Sequence, residues 1–185
     1  MEKSIEYIEK TTKSTQIFSG KVVRLYLDEV EFPDGKTSTR EVVDHHGGVC
    51  IVAVTDDNKI LLERQYRYAL KEIVFELPAG KLEKGEDPKT AGIRELEEET
   101  GAKAESFEFL GKMYPTVGYD NEVIWLYLAK GLKFGASHFD EDEFVEVKPY
   151  DIETLLSMIK RGEIPDSKTV FGITTYALKE GLLKF

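Results

Sequence analysis

The run Gly48-Val49-Cys50-Ile51-Val52-Ala53-Val54 is almost continuously apolar. It is too short for a buried helix and reads as a buried strand, which fixes the rest of the chain around it. Asp56-Asp57-Asn58-Lys59 is a turn cluster, and Lys59 to Glu63 returns as a hairpin partner. Further strands are expected at Val74 to Leu77, Phe107 to Met113, Glu122 to Ala129 and Phe144 to Val147. Between them the pattern turns helical from Asp87 to Thr100, with Asp87 as N-cap, Pro88 at the first helical position and Gly101 as the stop. Two more helices follow. Asp151 caps Ile152 to Lys160, where Ile152, Leu155, Leu156 and Ile159 recur at helical spacing. The last runs from about Lys168 to Leu183, with Val170, Ile173, Ala177 and Leu178 on one face. This order predicts an α/β (α+β) fold, a mixed sheet flanked by helices.

Upstream, Ile17 to Asp44 reads as antiparallel strands around the turn Phe32-Pro33-Asp34-Gly35-Lys36. A sheet this thin needs something to pack on. The expected organisation is an N-terminal antiparallel lobe over residues 1–45, suited to dimerisation, and a main domain over residues 46–185.

Composition narrows the function. Asp plus Glu number 35 against 25 Lys plus Arg, a formal charge of −10. Such a chain is a poor general binder of nucleic acid or anionic membrane. One cysteine, Cys50, excludes an internal disulfide and a multi-cysteine zinc site. No signal core and no transmembrane-length run is present, so the expected location is the cytoplasm.

The chemistry concentrates in Arg94-Glu95-Leu96-Glu97-Glu98-Glu99. At about 100° per residue, Glu95, Glu98 and Glu99 share one helix face and Glu97 points away. Like charges at i,i+4 cost about 0.2–0.5 kcal/mol each on an exposed helix. Acids near a helix C-terminus also oppose the dipole. As a stabilising device the cluster fails. A divalent cation reverses the sign, and hard Mg²⁺ prefers oxygen ligands. The alternative is a solvated acidic face neutralised by Arg94 and nearby lysines.

The surrounding spacing favours the cation. Gly80, then Glu86, then Arg94-Glu95-Leu96, then Glu98-Glu99, then Gly101 and Ala102 form a pattern that resembles the Nudix box. Ala102 stands where that family usually has a larger aliphatic. The resemblance implies a loop-helix-loop beside a mixed sheet sandwiched between helices. It implies divalent-metal hydrolysis of a nucleoside diphosphate linked to another group. It also implies that Glu95 and Glu99 ligate Mg²⁺ (Mn²⁺ being the alternative), with Glu98 ligating or orienting and the Ala79 carbonyl adding a ligand. It makes Arg94 and Glu86 supports of the loop, with Arg94 pairing the box carboxylates, and Gly80 and Gly101 close-approach positions. A second acidic stretch, Asp140-Glu141-Asp142-Glu143, lies where the resemblance implies a loop that supplies the general base or an extra ligand, which points to Glu141 or Glu143; a solvated acidic loop is the alternative.

Beyond the box, several segments resemble the ADP-ribose pyrophosphatases. They are Arg40-Glu41-Val42-Val43 with Gly47-Gly48-Val49, Glu63-Arg64-Gln65-Tyr66-Arg67-Tyr68, Glu76-Leu77-Pro78-Ala79-Gly80, and Tyr114-Pro115-Thr116-Val117-Gly118-Tyr119. That resemblance implies a nucleotide-sugar substrate cleaved to AMP and a sugar phosphate. Arg67, Glu76 and Gly118 then line the substrate, with an ordinary strand-end salt bridge as the alternative for Arg67, and Arg40 and Glu41 hold the adenine end across a homodimer. Val117 stands where this subfamily usually carries proline, so another nucleotide sugar or a dinucleotide is the alternative substrate. A nucleotide-sugar sensor without hydrolysis is the third reading. His45 and His46 are adjacent, diverge, and read as exposed or structural; Trp125 reads as core.

Overall fold

A computed structural model describes residues 7–135 and 145–183. The chain divides into two compact units. One comprises the chain up to His46 together with Tyr114–Glu122; the other comprises Gly47–Met113 and the chain from Val123 on.

The first unit is a three-stranded antiparallel sheet, β1 (Lys10–Ser19), β2 (Val23–Glu31) and β3 (Thr37–His45), in that spatial order. The β2–β3 turn closes as its residues predict. Phe32 N–H donates to the Lys36 carbonyl at 2.8 Å, and Gly35 sits at φ 84°, open to glycine at little cost. β1 starts seven residues before the expected Ile17. All ten of its residues are exposed, so no alternation of burial marked it. Tyr114–Glu122 joins this unit through β3: Val43 N–H donates to the Tyr119 carbonyl at 2.7 Å and Asn121 N–H donates to the Val43 carbonyl at 3.1 Å. His45 and His46 are structural here. His45 Nδ1 lies 3.2 Å from Glu122, and His46 Nε2 lies 3.2 Å from Arg24.

The second unit is built on β4 (Gly48–Ala53), the predicted buried strand. It runs parallel to β9 (Ile124–Phe134) in a sheet ordered β7-β4-β9-β8, with β7 (Ala79–Lys81) and β8 (Ala102–Met113). Its unbroken apolar character has a plain cause: both faces are covered. Cys50, Val52 and Val54 face one core, shared with α2 (Ile152–Lys160) and α3 (Ser167–Lys179) through Leu155, Met158, Ile173 and Ala177. Val49, Ile51 and Ala53 face another, shared with α1 (Pro88–Thr100) through Ala91 and Leu96. The sheet is thus mixed and lies between helices. A second sheet has the order β10-β5-β6, from β5 (Lys59–Arg67), β6 (Glu72–Glu76) and β10 (Val145–Asp151).

α1 has the predicted caps. Asp87 accepts from Thr90 N–H at 3.0 Å, and Gly101 at φ 68° donates to the Glu97 carbonyl. α3 stops at Lys179, short of the expected Leu183, and Leu178 is exposed rather than on the buried face. Trp125 is half-buried against the α1-side core. Among the described residues, no helix is long and apolar enough to cross a membrane.

Candidate active site

The acidic face of α1 meets β7 and the segment leading into it. Glu99, near the end of the helix, is buried, and its Oε2 accepts from Ala79 N–H at 2.9 Å. One turn earlier, Glu95 fills the space left by the missing side chain of Gly80. A Cβ there would stand 1.9 Å from the Glu95 carboxyl carbon. What disfavours a side chain at this position is that close approach and not backbone strain, since the backbone is outside the left-handed region.

Arg94 ties the helix to the preceding loop. Its Nη1 donates to Glu95 and Glu98, both at 2.9 Å, and its Nε and Nη2 donate to Glu86 at 3.1 Å. Nη2 also reaches the Lys81 carbonyl at 3.5 Å. Glu86 in turn accepts from Glu83 N–H at 2.9 Å. The Arg94 hydrogen bonds and the Glu83 N–H hold the Glu86 carboxyl below its ordinary pKa, and Glu86 with its fellow acids raises that of Arg94. Glu97 points away and pairs with Lys103.

Among the described residues three glutamates are almost wholly enclosed: Glu63 at 2% exposure, Glu76 at 3% and Glu99 at 6%. Glu63 and Glu76 face each other across β5 and β6. Their environments differ. Arg67 grips Glu76 as a fork, Nε at 2.6 Å and Nη2 at 2.7 Å, and Lys168 Nζ also bonds it. Burial pushes Glu76 up, yet these two cations outweigh it and its pKa falls. Burial likewise opposes the charge on Lys168, but Glu76 and Asp166 raise its pKa. Glu99 has the opposite fate. Burial, then Glu63 and Glu95, push its carboxyl up to about 10. Burial and neighbouring acids prevail around it.

That imbalance suits a cation. Among the described residues no three Asp, Glu, His or Cys side chains converge on one point, because Glu95 and Glu98 are both drawn to Arg94. The donor chemistry still fits a hard divalent ion: carboxylates only, one of them buried among acids, beside the backbone of Ala79.

The predicted site residues therefore fall in two groups. Ala79, Gly80, Glu86, Arg94, Glu95, Glu98, Glu99 and Gly101, with Arg67 and Glu76, belong to the second unit. Arg40, Glu41 and Gly118 belong to the first. Arg40 forks onto Glu9 at 2.8 and 2.6 Å and lies over the Phe32 ring, while Glu41 is exposed. Arg67, expected to meet substrate, is engaged with Glu76 on one edge. Glu141 and Glu143 lie outside the described residues. Sequence reasoning missed Glu63, Asp166, Lys168 and Thr169. An acid ending the apolar run Ile60-Leu61-Leu62 was a signal for Glu63; nothing local marked the other three, which meet the site through bonds that span 92 residues.

Comparison with known proteins identifies the family. Residues 44–171 match the NUDIX domain, and residues 9–43 match the nucleoside diphosphate sugar hydrolase N-terminal domain. A methanol dehydrogenase activator of Bacillus methanolicus is 49% identical, covering 94% of this chain and 95% of its own. An ADP-ribose pyrophosphatase of Bacillus subtilis (strain 168) is 44% identical, covering 97% of each chain. The crystal structure of an ADP compounds hydrolase superposes with a TM-score of 0.84 at 19% identity, covering 98% of this chain and all of that one, and so speaks to the fold. Nudix hydrolases in general need a divalent metal. With the domain matched over most of its length and such relatives nearly end to end, the chain belongs to the Nudix family.

Proposed function

We propose that this protein hydrolyses the diphosphate bond of ADP-ribose or a related ADP-sugar with Mg²⁺, giving AMP and a sugar phosphate. One observation carries the reading: Glu99 is buried, crowded by acids and bonded to Ala79 N–H, beside an arginine held by Glu76. Glu95, Glu98, Glu99 and the Ala79 carbonyl would hold the ion. When bound, it neutralises diphosphate charge and lowers the pKa of water. The water oxygen joins one phosphorus, the bridging P–O bond breaks, and the water proton passes to a carboxylate, which we assign to Glu141 or Glu143. Arg94 and Glu86 hold the loop in register with the helix. The free edge of Arg67 faces a substrate phosphate, to which guanidinium is well matched. We assign the N-terminal lobe to homodimerisation, with Arg40 and Glu41 at the adenine end and Gly118 at the substrate, and the enzyme to the cytoplasm.

The test is incubation with ADP-ribose, ADP-glucose, GDP-mannose and a nucleoside triphosphate, with Mg²⁺, with Mn²⁺ and with chelator. Metal-dependent AMP release fastest from ADP-ribose is the expected result; no turnover of any compound refutes the reading. The likeness to a methanol dehydrogenase activator favours a second reading, that the chain raises the activity of such a dehydrogenase. A methanol dehydrogenase assayed with and without this protein decides it: an unchanged rate removes the second reading.

A further inference from the structure

The start of α3 is stitched to the segment that enters β7. Lys168 Nζ bonds Glu76, and the next residue, Thr169, accepts the Leu77 N–H on its hydroxyl at 2.8 Å. Thr169 is fully buried. Two residues on, Ala79 N–H is held by Glu99 from α1, and the intervening Pro78 carbonyl accepts from Ile51 N–H at 2.8 Å. Glu76 to Ala79 is therefore pinned at every residue, from α3 on one side and from α1 and β4 on the other. Gly172 permits the approach of α3: a Cβ there would stand 2.5 Å from Leu77 Cδ1.

Lys168 does more than fill space. It is nearly enclosed, and its ammonium touches two carboxylates, Glu76 and, at 3.0 Å, Asp166. Asp166 is fixed in turn by capping α3 through Thr169 N–H at 3.0 Å. Both Glu76 oxygens receive Arg67, and Oε2 also receives Lys168. A buried carboxylate with one cation would be a costly and movable partner; with two it is fixed. The guanidinium on its outer side is then held in one plane. Its Nε and Nη2 are engaged by Glu76, while the side chain remains 41% exposed.

We infer that Lys168 is a positioning residue: acting through Glu76, it fixes the plane of Arg67 so that the free guanidinium edge meets a substrate phosphate. This rests on the diphosphate hydrolysis proposed above. Lys168 itself touches no substrate. The ammonium and the guanidinium act as one unit, so their effects do not add.

The experiment compares wild type, Lys168→Met, Arg67→Gln and the double variant in ADP-ribose hydrolysis with Mg²⁺, measuring KM and kcat separately. Lys168→Met is expected to raise KM about tenfold, with kcat changed far less, as loss of one oriented charge-assisted contact implies. On the Arg67→Gln background it is expected to change KM no further. Lys168→Gln, which keeps a donor for Glu76, is expected to recover part of the KM, and Lys168→Leu takes the place of Lys168→Met under the same criteria if that variant does not fold. A KM unmoved by Lys168→Met overturns the inference, and so does an undiminished effect on the Arg67→Gln background. A wild type that turns over none of the nucleotide sugars refutes the hydrolase reading, a different result from active wild type with an indifferent Lys168.

Discussion

Glu99→Gln should make the metal-free protein more stable while abolishing its activity. The side chain is almost fully buried, and Glu63 and Glu95 add to the burial that lifts its carboxyl to about 10. A raised carboxyl stabilises the fold fully below the unfolded value and loses that contribution as pH rises toward the folded value. At neutral pH the unfolded chain has released this proton and the native state has kept it. Each pH unit above the ordinary 4.5 costs the native state about 1.4 kcal/mol, so at pH 7 the accumulated cost is about 3 kcal/mol. The amide is isosteric, has no charge, and keeps a carbonyl oxygen for Ala79 N–H. For a chain of this size, about 3 kcal/mol is a rise in Tm of about 6–12 °C, an upper bound because neighbours relax. The assay is thermal unfolding in chelator from pH 5 to 8. The two proteins should converge near pH 5 and separate as pH rises. Saturating Mg²⁺ should stabilise wild type and leave the variant unmoved. A variant less stable than wild type at pH 8 without metal, or a gap independent of pH, would refute the reasoning.

Other outcomes follow from the same geometry. Gly80→Ala should fold, since the displaced group is the end of a flexible side chain, yet it should push the Glu95 carboxyl aside; calorimetry should show Mg²⁺ affinity lowered at least about tenfold. Arg94→Ala removes the link among Glu86, Glu95 and Glu98 and should cost about 1–3 kcal/mol in urea unfolding, discounted because the guanidinium is partly exposed. Glu76 has its pKa lowered, so the stability it contributes is complete above the ordinary carboxylate value and is lost as pH falls below it. Glu76→Gln should flatten the acid limb of the stability curve below about pH 4.5, and an unchanged limb would contradict the assignment.

What could be read from the residues was what is encoded locally. β4 announced itself because both of its faces are buried, and α1 because its two caps sit at its two ends. The box carboxylates were legible because a helix maps spacing directly onto a face. β1 was missed in part because exposure left no hydrophobic period to detect. Lys168 and Thr169 were invisible for another reason. Their roles depend on Glu76 and Leu77, across 92 residues of chain, and a lysine two residues past a proline-aspartate turn looks like any other surface residue. The fate of Arg67 also needed the fold: an arginine at the end of a strand reads the same whether its partner is solvent or an enclosed glutamate.

The strap formed by Tyr114–Glu122 has a consequence for how the chain can be cut. It pairs with Val43 through two backbone hydrogen bonds, and Asn121 reaches His45 N–H and Asp44 through its side chain. The polypeptide leaves the N-terminal unit at His46 and returns to it some seventy residues later. A protein shortened to begin at Gly47 would look tidy on a sequence map, yet it would strip that strap of its partner strand and leave Asn121 with nothing to hold. Limited proteolysis should thus produce nicked molecules whose fragments stay associated, rather than a separable catalytic core.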